Sequence, residues 1–487
     1  MLLQPAYATF CERSAEHSLV PLSLTLPVDT ETPVSLYQKL VGDKLGFMLE
    51  SATPGKNFGR YSFLGRHPFA RLTGYRDSTI IINEREQTNA KQGPPLQVLK
   101  EFLAAHSLAN LDELPLFSGG AVGYVAYEAT ATWERIRGMS IADDLVLSDM
   151  LFCRELAVFD HLEHSVTFLY LADAKADDLK ESYQKGSAAL HAMAAALQEP
   201  LPAKKEQTPP SSAVQAPLTA SSDDYCAKVL RAKEYIAAGD AFQIVLSQES
   251  RRPLDCHPFQ LYRRLRRVNP SPYMFYLNFG QHQVLGASPE RLVKLEDGVV
   301  STHPIAGTRP RGANAAEDER LGNELKNDPK ELAEHAMLVD LGRNDIGKVS
   351  LPGSVQVTRL KEVEHFSHVM HLVSEVTGKM RPDYGAVDAL QACFPAGTVS
   401  GAPKARVMEI IHELEGDQRG VYAGAVGYLD FRGNMDTCIA IRTLAIESGE
   451  IILRAGAGIV ADSLPEMEYQ EVRHKSQAMI KALEGIE

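Results

Sequence analysis

The sequence predicts an α+β fold, in which antiparallel strands are grouped together and helices pack apart from them. Three β-rich runs, residues 421–431, 437–447 and 450–460, follow one another with only short polar turns between them. Helical stretches recur between and after the strand-rich regions. Because they do not alternate one by one with single strands, this order favours antiparallel sheets over a chain of βαβ units.

Composition and charge limit the classes of function. The chain has 487 residues, which suggests two to four domain-sized units at roughly 100–200 residues each. Its 63 acidic and 50 basic residues give a formal charge of −13, which would repel nucleic-acid phosphates. No apolar run approaches the roughly 20 residues of a membrane-spanning helix, and the cysteines lack CxxC spacing. We therefore expect a cytoplasmic protein that acts on small molecules, without nucleic-acid or membrane partners.

One boundary divides the chain. Residues 198–221 are rich in proline, serine and alanine and show no periodic apolar pattern, which is typical of a linker or surface loop. They separate a first part, residues 1–197, from a second part, residues 222–487. The second part opens with a predicted helix that Ser222 or Asp223 would cap and that Gly239 would end.

Two pairs of segments suggest an internal repeat. Residues 120–124 and 424–428 share the sequence GAVGY, and upstream FLGRHP (63–68) resembles VLGASP (284–289) in the same order. Either the likeness is a coincidence between glycine-rich strands, or the fold is duplicated. In the second case the later copy carries the chemistry, and the first copy is free for another role.

A first acidic helix is predicted to start at Asp328, with Pro329 in its first turn. Glu331 and Glu334 stand three residues apart, so both carboxylates lie on one face of this helix. Taken alone, such acids are most often a solvated face.

A second acidic helix is predicted after Ser463, which would form a capping box with Glu466. Glu468 and Glu471 repeat the three-residue spacing of the first helix. Carboxylates from two helices that face one cavity would suit Mg²⁺, which takes one or two protein carboxylates and keeps several waters.

Three glycine-containing segments could bind an anion. Residues 303–312 combine two glycines with two arginines, residues 455–458 read AGAG, and residues 394–404 lead into a helix that starts near Pro403. The last segment lacks the spacing of a Walker loop. Each of the three would be an ordinary turn if it stood alone.

Six motifs in one order carry a family resemblance. They are GASPERL (286–292), PIAGTRPRG (304–312), ELAEHAMLVDLGRND (331–345), HVMHLVSEV (368–376), FPAGTVSGAPKAR (394–406) and AGAGIV (455–460). Together with FMLES (47–51) and GRYSFLG (59–65), they resemble the chorismate-utilising enzymes, and among these the large subunit of anthranilate synthase. The resemblance implies an α/β/β/α sandwich with two antiparallel sheets, which an internal duplication could have produced.

The resemblance also implies a set of site residues. Enzymes of this family use Mg²⁺ to hold the ring carboxylate of chorismate, and Glu334 and Glu471 stand at the metal-ligand positions, supported by Glu331 and Glu468. The positions that match chorismate-binding residues are Gly307, Thr308, Tyr422, Arg442, Gly456, Ala457 and Gly458. The positions that match a tryptophan feedback site are Ser51, Pro272, Tyr273 and Met274.

Two further residues are implied in proton transfer. Glu290 matches the general acid that would protonate the departing C4 hydroxyl group, and His371 is the candidate base that would remove the C2 proton. His368 is an alternative to His371, and either histidine could instead be a core residue.

Ala306 separates the members of the family. Isochorismate, salicylate and aminodeoxychorismate synthases resemble one another in carrying a lysine there, whose amine can activate water or attack C2. Alanine can do neither, so the nucleophile must come from outside, which favours ammonia as substrate and anthranilate as product. Aminodeoxychorismate or isochorismate synthase is the alternative, and a non-catalytic amino-acid sensor on the same scaffold is a more distant one.

No segment of the sequence reads as a glutaminase, because no cysteine stands in a G-x-C-x-G turn. The resemblance therefore implies a separate glutamine amidotransferase subunit, anthranilate synthase component II, that supplies ammonia. It further implies a heterotetramer of two large and two small subunits, with L-tryptophan as the feedback inhibitor.

Overall fold

The computed structural model describes residues 3–51, 59–110, 114–115, 117–201, 221–365 and 369–484. Most of the proposed linker, residues 198–221, lies outside the described residues. His368, the alternative to His371, also lies outside them. Within these ranges the chain forms helices and a large antiparallel strand network, which confirms the α+β prediction. No helix in them is long and apolar enough to cross a bilayer.

The strands are named in chain order. They are β1 (Leu19–Pro27), β2 (Gly46–Glu50), β3 (Tyr61–Gly74), β4 (Ser78–Asn83), β5 (Thr88–Gln92), β6 (Gly120–Val125), β7 (Ser148–Asp160), β8 (Ser165–Asp173), β9 (Gln243–Pro253), β10 (Tyr273–Asn278), β11 (His282–Ser288), β12 (Arg291–Glu296), β13 (Val299–Thr302), β14 (Ile305–Pro310), β15 (Gln356–His365), β16 (Val369–Lys379), β17 (Gly401–Ala402), β18 (Ala425–Asp430), β19 (Met435–Ile439), β20 (Thr443–Glu447) and β21 (Glu450–Ile459).

The helices are named in the same way. They are α1 (Tyr7–Glu16), α2 (Pro33–Leu40), α3 (Pro95–Ala104), α4 (Leu179–Ala196), α5 (Ser222–Ala237), α6 (Pro258–Val268), α7 (Ala315–Asn327), α8 (Pro329–Gly347), α9 (Ala386–Cys393), α10 (Lys404–Glu415) and α11 (Pro465–Glu484), with short 3₁₀ turns at Tyr127–Thr132 and Gly397–Val399.

Two long strands, β3 and β7, belong to both of two sheets. They pair along their whole length, but the register shifts between Pro68 and Ala70, and both strands bend at this bulge. On one side of the bend the order is β1-β8-β7-β3-β2-β10-β11-β20-β21-β9-β17. On the other side it is β5-β4-β3-β7-β6-β18-β19-β12-β13-β16, and β14 and β15 also pair with β16.

Apolar cores separate four layers. Phe47 and Tyr428 lie in the core between the two sheets. Tyr262 belongs to the core between the first sheet and its helices, which include α4, α6 and α11. Leu390 belongs to the core between the second sheet and its helices, which include α3, α8 and α9. This order of layers confirms the α/β/β/α sandwich.

The register of two strand pairs favours internal duplication over coincidence. The GAVGY segments lie in β6 and β18, and these strands pair so that Gly123 faces Gly427, its equivalent in the repeat. Residues equally far on either side of this pair also face each other. In the other repeat Met48 of β2 faces Leu64 and Tyr276 of β10 faces Leu285, which makes Met48 and Tyr276 equivalent, and these two residues also face each other. This is the pattern of a pseudo-twofold axis between two copies.

Helix boundaries agree with the sequence in part. Asp328 caps α8 as predicted, by accepting from the backbone N–H groups of Lys330 and Glu331. The cap of α5 was predicted wrongly, because Ser221 takes that place and accepts from the N–H of Asp224 (3.1 Å).

The capping box predicted for α11 was also wrong. Pro465 takes the first helical position, so Leu464 occupies the cap and accepts from the backbone N–H of Glu468 (3.1 Å). Ser463 lies one residue too early, and its hydroxyl accepts from the N–H of Val460 (3.0 Å) instead.

Gly123→Ala is expected to destabilise the protein, because a methyl group there would overlap the carbonyl oxygen of Asp149 on the adjacent strand. Overpacking of this kind costs about 1–3 kcal/mol. Gly347→Ala, at the end of α8, is the control, since the added carbon would meet no atom of the described residues within 4 Å beyond its chain neighbours and its own helix backbone. Urea unfolding measures both variants, and a Gly123→Ala midpoint at or above that of the control would contradict the packing.

Candidate active site

The candidate site is built where the chain crosses from the second sheet to the first, between β19 and β20. The run 437–447, which the sequence presents as one β-rich stretch, is thus divided between two sheets. Ile439 donates its N–H to the carbonyl of Glu290 (3.0 Å), and Arg442 accepts from the N–H of Ala287 (3.1 Å). Arg442 has a φ of 52°, a conformation that non-glycine residues hold only where the surroundings impose it.

Arg442 is the clearest sign of a ligand. Its backbone carbonyl accepts from Ala287, but its guanidinium has no hydrogen-bond or ion-pair partner among the described residues. Burial lowers its pKa, while Tyr422, Glu290 and Glu471 act in the opposite direction. Arg442 is only partly exposed, its guanidinium stays charged at ordinary pH, and a charge shielded from water without a partner is unfavourable. The site therefore fits an anion, and a carboxylate can accept two parallel hydrogen bonds from it.

Beside the crossing, β21 carries a strip of two glycines. Gly456 and Gly458 face one side of the strand, and Ala457 faces the other, where it joins an apolar core. A side-chain carbon at Gly456 would lie 2.8 Å from Tyr422 Oη, and one at Gly458 would lie 2.5 Å from Gln243 Nε2. The side chains of Tyr422 and Gln243 thus pack against the backbone of β21 at the two glycines. On this side of the strand Ala457 can contact a ligand only through its backbone.

Gln243 is absent from the residues that the sequence predicted. Its side chain is buried, and Oε1 has no hydrogen-bond partner in the described part of the chain. A buried amide oxygen needs a donor, so a ligand with an N–H or O–H group fits here. Nothing in the sequence distinguishes Gln243 from the rest of β9; only its contact with Gly458 does.

Glu290 is a largely buried acid. Burial raises its pKa to about 7, against the opposing effects of Thr398, Arg442 and Lys475. Thr398 Oγ1 donates a hydrogen bond to Glu290 Oε1 (2.9 Å), and both residues line a cavity of about 50 Å³. Because both protonation states are populated near neutral pH, this carboxyl group can donate a proton.

His371 lies on β16 opposite Thr308 of β14. Its Nδ1 is 2.8 Å from the carbonyl oxygen of Gly307 and 3.1 Å from Thr308 Oγ1. Since a carbonyl oxygen only accepts, Nδ1 carries the proton and Nε2 carries the lone pair. Burial lowers the pKa of His371, which favours the neutral form that can act as a base.

Gly307 brings this segment against the acidic helix α8. The register between β14 and β16 shifts between Ala306 and Thr308, so that Gly307 is an extra residue with a φ of 71°. A side-chain carbon there would lie 2.8 Å from Leu325 Cδ1 and 3.0 Å from Glu331 Oε2. Conformation and space both require glycine at this position.

The four predicted metal-site carboxylates come from α8 and α11. Burial raises the pKa of Glu334, and Glu331 and Glu471 raise it further. The pKa of Glu468 is also raised, by burial and by Glu471, against a hydrogen bond from Ser463. Acids from two helices therefore share one region, and a cation placed there would relieve their repulsion.

Lys475 is a second residue that the sequence analysis missed. It pairs with Glu471 (2.6 Å) and donates to the carbonyl oxygen of Gly456 (3.2 Å). In the sequence, only its position one helical turn after Glu471 indicates that Lys475 could pair with that carboxylate. Within the described ranges, no group of three or more His, Cys, Asp and Glu side chains could hold a metal ion. Glu334 and Glu471 with bound water would nevertheless fit Mg²⁺, which needs only one or two carboxylates.

The two arginines of residues 303–312 are already engaged with acids. Arg309 pairs with three carboxylates, two of them at the start of α8, and Arg311 pairs with Asp318. The interpretation of these arginines as carboxylate binders is therefore not supported. The described geometry gives that place to Arg442.

Ser51 and Tyr273 lie side by side although they are far apart in sequence. β2 pairs with β10 in the register Glu50–Met274, so Ser51 comes next to Tyr273. Alternation along the strands turns Glu50 and Met274 toward the helices, where Tyr262 donates to Glu50 (2.5 Å). Ser51 and Tyr273 face the space between the sheets, and Ser51 Oγ is buried without a partner among the described residues.

Fold and site together define a class of protein, a two-sheet α+β enzyme with a buried site for a small anion. Residues 47–481 match the sequence profile of chorismate binding enzymes. Anthranilate synthase component 1 of Acetivibrio thermocellus is 42% identical over 479 residues, which cover 96% of each chain. The protein of the same name from Pseudomonas aeruginosa is 43% identical over 474 residues, again 96% of each chain.

Solved structures agree with these relatives. The crystal structure of anthranilate synthase component I from Streptococcus pneumoniae superposes with a TM-score of 0.75 at 38% identity, covering 88% of this chain and 95% of that one. The menaquinone-specific isochorismate synthase of Escherichia coli has a TM-score of 0.71 over 98% and 99% of the two chains; at 19% identity it shows the fold alone. The chain belongs to the chorismate binding enzyme family, and within it to the group of anthranilate synthase component 1 proteins.

Proposed function

We propose that this chain is the large subunit of an anthranilate synthase, which converts chorismate and ammonia to anthranilate and pyruvate in the first committed step of tryptophan biosynthesis. The observation that carries the proposal is Arg442, whose partly exposed guanidinium has no partner among the described side chains. Chorismate carries two carboxylates and supplies such a partner. The names of the relatives support the same activity.

The cofactor we propose is Mg²⁺. Glu334 and Glu471 would hold it, with Glu331 and Glu468 nearby, because these acids come from two helices and repel one another. When bound, the ion would hold a substrate carboxylate and offset its charge.

Two proton transfers are assigned to side chains of this protein. As ammonia adds at C2, the C4 hydroxyl group departs, and Glu290 donates the proton that makes the leaving group water. In the second step His371 accepts the C2 proton through Nε2. The electron pair of that C–H bond completes the aromatic ring, the C–O bond to the side chain breaks, and the released enolate takes up a proton to become pyruvate.

The nucleophile comes from outside the chain in this proposal. Ala306 is 7% exposed on β14 and offers no amine. The buried oxygen of Gln243 can accept a hydrogen bond from ammonia or from a substrate hydroxyl group. Ammonia would be delivered by a glutamine amidotransferase subunit, the component that the name "component 1" presupposes. A lysine-dependent reaction of the isochorismate or aminodeoxychorismate type lacks its amine at this position.

The purified chain is expected to make anthranilate from chorismate with Mg²⁺ and ammonium salts, because it carries the proposed chorismate site. It should not use glutamine, because no cysteine stands in a glutaminase-type G-x-C-x-G turn. Anthranilate fluorescence measures the product. Chelation should abolish the activity and added Mg²⁺ should restore it. Glutamine-dependent turnover by the rigorously purified chain, or a product other than anthranilate, would refute the assignment.

The hydrogen bond from Thr398 to Glu290 predicts a change in pH dependence. Glu290 must be protonated to donate, so kcat/KM for chorismate, which reports the free enzyme, should fall as pH rises through about 7. The Thr398 hydroxyl lowers the pKa of Glu290, so Thr398→Val should raise that pKa and move the alkaline limb to higher pH. Matched profiles of kcat/KM for chorismate against pH measure the shift, and Thr398→Ser should behave like the wild type. An unmoved limb in Thr398→Val would mean that another group is the acid.

We further propose that L-tryptophan binds between the sheets at Ser51 and Tyr273. Pro272 precedes β10 there, and Met274 would contribute its backbone, because its side chain packs toward the helices. The Tyr273 hydroxyl donates to Asp436 (3.0 Å) and accepts from Arg291 Nε (2.8 Å). Arg291 directly follows Glu290, so a ligand that moves Tyr273 can disturb the acid.

Ser51→Ala is expected to weaken inhibition by tryptophan with little change in the uninhibited rate. The buried hydroxyl would lose a hydrogen bond to the ligand worth about 0.5–1.5 kcal/mol, or roughly two- to tenfold in the inhibition constant. Tryptophan titrations at fixed chorismate measure the effect. Ser187→Ala on α4, remote from this site, is the control. Superimposable curves for the wild type and Ser51→Ala would place tryptophan elsewhere.

A further inference from the structure

Glu128 lies in the first part of the chain but contacts the second. It is 2% exposed, in the 3₁₀ turn that follows β6. Its Oε1 accepts from the backbone N–H of Arg419 (2.6 Å) and its Oε2 from that of Gly420 (3.0 Å). The preceding residue, Tyr127, donates its N–H to the carbonyl of Gly420 (2.9 Å), and its ring lies 4.6 Å from the Arg419 guanidinium carbon.

The pairing of β6 with β18 explains why these segments meet. Val125 at the end of β6 faces Ala425 at the start of β18. The chain that leaves β6 therefore runs beside the loop that enters β18, residues 417–424. Glu128 comes to lie beside this loop as a consequence of the same pairing that relates the two copies.

One side of this loop borders open space. A cavity of about 290 Å³ lies against it and is lined by Arg419, Gly420 and Tyr422, among others. The apolar cores hold Val421 and Ala423, but the backbone at residues 419–420 has no packing partner among the described residues on the side of the cavity. The two hydrogen bonds to Glu128 oppose a shift of this backbone toward the cavity, and burial makes them costly to break.

The loop is also connected to the groups that face the substrate. Tyr422 donates its N–H to the carbonyl of Arg419 (3.2 Å), and its hydroxyl closes against Gly456. The Arg419 guanidinium donates to the carbonyl of Val399 (2.7 Å), the residue after Thr398, which in turn bonds Glu290. A displacement of residues 419–420 would therefore move both Tyr422 and, through Val399 and Thr398, the surroundings of Glu290.

We propose that Glu128 is a positioning residue of the chorismate site, which holds the loop that carries Tyr422 and so makes the first part of the chain necessary for catalysis as well as for regulation. The proposal rests on the function proposed above. Glutamine cannot replace the carboxylate, because its amide offers one acceptor and would set an N–H₂ group against a backbone N–H.

The test compares Glu128→Gln with Glu155→Gln. Glu155 is also a buried carboxylate of the first part, paired with Arg66 and His67, and it does not contact the loop. Glu128→Gln is expected to lower kcat/KM for chorismate by about ten- to a hundredfold with ammonium as nitrogen source, whereas Glu155→Gln should stay within about twofold. Glu128→Asp, which keeps both acceptor oxygens, should recover part of the loss and provides the readout if Glu128→Gln does not fold.

A double-mutant cycle separates positioning from a general loss of stability. If Glu128 acts through Tyr422, the loss in Glu128→Gln/Tyr422→Phe should be smaller than the product of the losses in the two single variants. Losses that multiply, or equal effects of Glu128→Gln and Glu155→Gln, would overturn the proposal. Absence of anthranilate formation by the wild type would instead refute the proposed function, so the two failures can be distinguished.

Discussion

The buried charge of Arg419 is the constraint on which the rest of the site depends. The residue is 4% exposed, and its guanidinium donates to Glu415 (2.6 and 2.9 Å) and to the carbonyls of Val399 and Val245 (2.7 Å each). These acceptors belong to α10, to the 3₁₀ turn 397–399 and to β9. Removing one partner of a buried ion pair costs about 3–5 kcal/mol, so these elements cannot separate independently. Arg454 also binds Glu415 (3.2 Å) and ties the glycine strip of β21 to the same point.

The two copies of the fold are related by a pseudo-twofold axis, but the proposed catalytic residues belong to the second copy. The strand pairs about Gly123 and Gly427 show that the two copies meet in equivalent registers. When FLGRHP is aligned with VLGASP, the next residue is Phe69 in the first copy and Glu290 in the second. Phe69 packs against Phe152 in an apolar core, whereas Glu290 sits between Thr398 and the chain crossing. The first copy therefore has no acid at the equivalent position, and the roles proposed for it are those of Glu128, which holds the loop 417–424, and of Ser51.

The sequence predicted the parts of the molecule that local rules determine. The α+β class followed from the order of strands and helices, and the start of α8 followed from Asp328 and Pro329. The residues that it missed act through partners distant in the chain. Gln243 becomes significant only because β9 lies beside β21, and Glu128 only because β6 lies beside β18. The sequence also did not predict that residues 437–447 are divided between two sheets, because both halves of this run have the same β-rich composition.

The charges of Glu290 and Arg442 influence each other although the two side chains form no ion pair. Burial raises the pKa of Glu290, whereas the positive charge of Arg442 lowers it, and the balance lies near neutrality. A carboxylate bound to Arg442 would cancel much of that positive charge. The opposing effect would then weaken, and the pKa of Glu290 would rise. By linkage, an anionic ligand binds better to the protonated acid, so occupation of the site itself favours the form of Glu290 that can donate a proton.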